Sequence, residues 1–121
     1  MTRPSVGAMI EQGRLDRALA LVFEASDALH SAALSDDANG LELVDAVSIV
    51  GNARAHLLAA GAIPAANREL PPSLNSEEAA RNAGAALRQA AGIFVGGDVT
   101  EDEFLAVAEM WAAVRFLHGW L

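Results

Sequence analysis

The sequence predicts an all-α protein, an antiparallel four-helix bundle with an irregular or short-helical N-terminal segment. Three observations predict it. Apolar residues make up 53% of the 121 positions, and many of them are alanine, the best intrinsic helix former. Aromatic residues, which favour strands, are only 5%. Helix-start signals also recur: Asn39, Asn75 and Thr100 each stand three residues before a glutamate, at Glu42, Glu78 and Glu103. Each resembles a capping box, in which a side chain caps a backbone N–H and the carboxylate reaches back. A chain of this length can enclose one continuous core, so residues 1–121 read as a single helical domain.

The first helix is expected at 14–35, on the stripe Leu15, Leu19 and Val22. Val6 and Ile10 fall off that stripe, so Gly13 is expected to break the chain, leaving 5–12 as a short separate turn or helix. The second helix is expected at 41–61, after Asn39-Gly40, and stops at Gly61 with Pro64 beyond it. Its apolar line is Leu43, Val47, Val50 and Leu57, while Asp45, Ser48, Asn52 and His56 form a solvated face. The third, at 76–95, presents Ala80, Ala83, Gly84, Leu87, Ala90, Ala91 and Phe94 on one side and ends at Gly96-Gly97. Such small residues allow a close neighbour. The fourth, at 101–120, opens on Thr100–Glu103, the one full capping box, and Glu101 and Asp102 add the negative charge that a helix start favours. Its inward line reads Phe104, Val107, Trp111, Val114, Arg115, His118.

Short connections at 36–40 and 96–100 make the first and second pairs of helices antiparallel neighbours. The 62–75 connection holds Pro64, Pro71 and Pro72 but also Ile63, Leu70 and Leu74, and is expected to pack over one end of the bundle. Up-down-up-down topology is the simplest arrangement; a crossed connection between the second and third helices is the alternative.

Charge and composition exclude several function classes. The net charge is −8, with eight basic residues, all arginine and scattered. Binding a phosphate backbone needs clustered basic side chains, so no nucleic-acid partner is expected. Phe104 to Leu121 is the most apolar stretch, but Glu109, Arg115 and His118 interrupt it, and no membrane span is expected. Met1 to Ile10 lacks the apolar region of a signal peptide, which points to a cytoplasmic protein. There is no cysteine and no Glu-x-x-His, so neither a thiolate site nor a paired di-iron motif is present. No metal and no cofactor is expected. The glycine-rich phosphate loops and the Gly-x-Ser-x-Gly elbow are likewise missing.

What remains is a set of polar side chains on apolar lines. His30 stands beside Leu19, Phe23 and Ser26 and follows Asp27 by three residues. Arg54 lies within the line of the second helix, and Arg115 and His118 within that of the fourth. An unpaired buried polar group costs about 1–3 kcal/mol, so each needs a partner or a purpose. The ordinary reading is pairing with a carboxylate such as Asp16, or snorkelling at the bundle end. The sharper reading is an anion pocket. Arg54 and Arg115 would supply planar donors, Trp111 would line the pocket, and His118 would serve as donor, acid or base, with His30, near the other end, as a separate catalytic candidate. Leu105, Ala112, Ala113, Phe116 and Trp120 form a second apolar side of the fourth helix. Aromatics that a bundle leaves uncovered suggest an interface, so Leu105, Phe116 and Trp120 are its candidates. The expected function is therefore self-association as a homodimer, or binding of a protein partner. The alternative is a cofactor-independent enzyme, or a binder of a small anionic ligand.

Overall fold

The computed structural model describes residues 6–34, 40–65 and 75–120. Four helices form a bundle: α1 at Val6–Ala33, α2 at Val44–Ala59, α3 at Ser76–Gly92 and α4 at Glu101–Trp120. A short 3-10 helix, Gly40–Leu43, leads into α2. Among the described residues there is no strand. The Asn39 cap and the Leu70 to Leu74 packing expected from the sequence lie outside the described residues.

The helix starts follow their caps. Asn75 accepts the Glu78 N–H at 2.8 Å. Thr100 and Glu103 form the reciprocal box, Glu103 N–H to Thr100 Oγ1 at 3.2 Å and Thr100 N–H to Glu103 Oε1 at 3.1 Å. At the end of α2, Gly61 takes φ +106°, a conformation that a side chain would strain. That turn lets the Ala62 N–H reach back to the Leu57 carbonyl and the Gly61 N–H to that of Leu58, satisfying two orphan carbonyls. Gly96, at φ +84°, turns the chain after α3 in the same region of backbone space.

The break expected at Gly13 does not occur, and α1 runs unbroken through it. Val6, Met9 and Ile10 are indeed off the buried line and exposed, but an exposed glycine costs a helix only about 1 kcal/mol. Contacts on the turns just inside hold that start in place. Gln12 donates to Asp16 Oδ1 and to the Gly61 carbonyl, and Asp16 Oδ1 also accepts the Ile63 N–H at 2.8 Å. Arg14 donates to the Ile93 carbonyl at 2.9 Å and lies over the Phe94 ring.

These contacts also set the topology. The ends of α2 and α3 both meet the beginning of α1, so both run antiparallel to it. The beginning of α4 meets the end of α2 through His56 and Asp102, and its end meets the start of α2 through Trp120 and Glu42. α1 packs on α2 and α3, α4 packs on the same two, and the pairs α1/α4 and α2/α3 are diagonal. The order is thus up, down, down, up, with every neighbouring pair antiparallel. The 62–75 connection joins opposite ends of the molecule instead of closing over one. The crossed alternative is the one adopted.

The core is lined largely by alanine. α1 buries Ala18, Leu19, Val22, Ala25, Ser26, Leu29 and Ala32, and α3 buries Ala79, Ala80, Ala83, Leu87, Ala90 and Ala91. Arg14, on the α3 side of α1, shares its face with Ala18, Ala25 and Ala32. The α1/α3 seam is therefore alanine against alanine, which lets the two axes approach closely.

Candidate functional site

α4 is turned about its axis by roughly a quarter turn from the sequence reading. Its buried line is Ala106, Met110, Ala113, Val114 and Leu117. Bulk misleads here: Ala106 and Ala113 enter the core, while Phe104 is 62% exposed and Trp111 43% exposed. Arg115 and His118 are also exposed, so they are not inward residues. The side expected to be uncovered is instead half-buried against α2. Phe116 and Trp120 pack on the core, and Trp120 Nε1 donates to Glu42 Oε2 at 2.8 Å. Leu105, beside them on the helix, is half-buried. A symmetric contact through Phe116 and Trp120 would have to displace packing that the bundle already makes.

The expected anion pocket is not assembled. Arg54 is half-buried on α2 and its guanidinium lies 5.7 Å from the Phe23 ring centroid, a cation–π contact that accommodates its charge without a carboxylate. The contacts His56–Asp102 and Trp120–Glu42 fix the α2/α4 register. In that register Arg54 lies level with the beginning of α4 and Arg115 level with the beginning of α2. Nine or so residues at 1.5 Å each put about 14 Å between them along the bundle. Among the described residues, neither arginine has a carboxylate within ion-pair distance. His30 is exposed in the last turn of α1, about 100° round the helix from the buried Leu29. Open to solvent, its ring needs no further purpose.

One histidine pairing was not legible. His56, read as part of a solvated face, places Nδ1 3.3 Å from Asp102 Oδ1 across the α2/α4 seam, both half-exposed. Only the register of two distant helices brings them together. Hollows between the helices hold further polar groups. A cleft of about 340 Å³ lies where α1, α2 and α4 meet, lined by Glu11, Arg14, Asp98, Thr100 and Glu103 among others. Its polar groups are largely engaged: Arg14 with Ile93, Thr100 and Glu103 with each other. A second hollow of about 230 Å³ lies between α3 and α4, with Ala80, Gly84 and Ala85 as its floor and Arg81, Arg88 and His118 at its rim. That volume falls below the roughly 300–1,000 Å³ usual for small-molecule sites.

The feature left over is the outward stripe of α4: Phe104, Ala108, Trp111, Arg115 and His118, all exposed. The spacing alternates four and three, the seam pattern of helix–helix pairing. Phe104, Trp111, Arg115 and His118 of this stripe are the residues that the sequence places on the inward line; the structure turns them outward. Among the described residues no helix is long and apolar enough to cross a membrane. No group of three or more histidines and carboxylates there is placed to hold a metal. No protein-family model, curated protein or solved structure matches this chain.

Proposed function

We propose that this chain is a cytoplasmic helical protein that works by association, with the outward stripe of α4 as its contact surface. The observation that carries the reading is the exposure of Phe104 and Trp111 on one line of a rigid helix. Large aromatics are the residues that dominate binding energy at protein interfaces, and a bundle that needed them only for stability would bury them. The α4 helix is well suited to present them. Its start is capped, its opposite side is locked into the core, and its end is tied to Glu42 of the 3-10 helix that leads into α2. A rigid surface loses little conformational entropy on binding.

Site-specific photocrosslinking tests this in native cell extract. A photoreactive residue in place of Trp111 is expected to yield discrete crosslinked protein species. The same residue in place of Ser48, exposed on α2, is expected to yield none. Absence of any crosslink from position 111, to another protein or to the chain itself, would overturn the association reading.

A further inference from the structure

We infer that the occupant of the α4 stripe is a second copy of this chain, docked antiparallel about a two-fold axis that passes beside Trp111; the inference rests on the association reading above.

Charge along the helix points to this partner and orientation. In the first turn of α4 Glu101 is exposed near the stripe, while Asp102 is turned to His56 and Glu103 to its cap. The last turns carry Arg115 and His118, with Arg88 of α3 also at the small hollow and Arg81 there already paired with Glu77 at 3.0 Å. This side of α4 thus runs from Glu101 at one end to Arg115 and His118 at the other. Laid parallel, two copies would set like charges together at both ends. Laid antiparallel, each acidic end meets a basic end, and the two helix dipoles oppose in the same favourable sense. An isologous contact requires a surface complementary to itself, and this surface becomes so only in the antiparallel setting.

The spacing then fixes the layers. Trp111 lies at the middle of Glu101–Trp120, so a two-fold axis beside it sets Trp111 of one copy against Trp111 of the other. Phe104 of each copy meets His118 of the other, and Ala108 meets Arg115. A small residue faces a long one, and the Arg115 guanidinium comes near the aromatic side chains of the opposite stripe, which attract a cation. The seam spans about 21 Å, from fourteen residues at 1.5 Å each. That is a short interface, so the dimer dissociates on dilution.

The absence of cysteine from the chain makes the geometry directly testable. Light scattering across a concentration series is expected to show a monomer–dimer equilibrium. Trp111→Glu should abolish it without loss of helicity, since Trp111 stands outside the core. Under mild oxidation, an equal mixture of Phe104→Cys and His118→Cys proteins should give a disulfide-linked heterodimer, while each variant alone gives little. Ser48→Cys controls for random collision. A monomer at every accessible concentration overturns the inference, and so does self-linking of Phe104→Cys, which a parallel pair would give. A dimer with no 104–118 link above the Ser48→Cys control overturns it too. If the chain is monomeric yet position 111 still crosslinks to another protein in extract, the second-copy inference fails while the association reading stands.

Discussion

Asp16 shows how much one side chain can organise. Its Oδ1 accepts from Gln12 within α1 and from the Ile63 N–H just past the end of α2, so one carboxylate anchors the point where the chain leaves the bundle. It was a candidate partner for an arginine in the sequence, yet it serves backbone and amide donors instead. Hydrogen bonds to a charged acceptor are worth more than neutral ones, but this one stands near solvent, where the freed N–H can turn to water. Asp16→Ala is therefore expected to cost about 1–2 kcal/mol, read as a lower urea midpoint with an unchanged slope. Arg54 and His30 make the complementary point. The aromatic face of Phe23 accommodates the first and water the second, so neither demands a ligand.

At the scale of elements, the continuity of α1 is the clearest departure from expectation. Gly13 is helical and exposed, and a Cβ built there would meet nothing within 4 Å. Gly13→Ala should thus stabilise the fold by about 0.5–1 kcal/mol, through helix propensity and a less flexible unfolded chain. A raised melting temperature checks this; a lowered one would mean that the glycine has a role its surroundings do not show. Helix starts were legible because capping is local: Asn75 and the Thr100–Glu103 pair act within a single turn. The face of α3 was legible as well, since its one apolar side is small and its other side carries Glu77, Arg81 and Arg88. So was that of α1, whose expected stripe of Leu15, Leu19 and Val22 lies in or against the core. The face of α4 was not: that helix is apolar over most of its circumference, and side-chain bulk then points to the wrong side.

For the molecule as a whole, the seam between α1 and α3 is lined by alanine. Ala90 is fully buried, and the Arg14–Ile93 contact sets it level with Ala18. Ala90→Leu is expected to force that seam apart and cost about 1–3 kcal/mol. Chemical denaturation followed by circular dichroism measures this, and a neutral result would mean that the α1/α3 seam has room to spare.

What the sequence determined by itself is the set of helices and their ends, together with the all-α class. Propensity, capping and glycine turns act over three to six residues and are written locally. Only the tertiary structure decided which side of α4 is inside, and therefore what its polar and aromatic residues do. The crossed connection from α2 to α3 sets α4 between α2 and α3, which turns Phe116 and Trp120 inward and Trp111 outward. It also separates Arg54 from Arg115 and joins His56 to Asp102. Each of these outcomes depends on the register between helices remote in the chain. That register follows from the packing of alanine-rich surfaces, where almost every side of a helix can be buried and no local signal chooses among them.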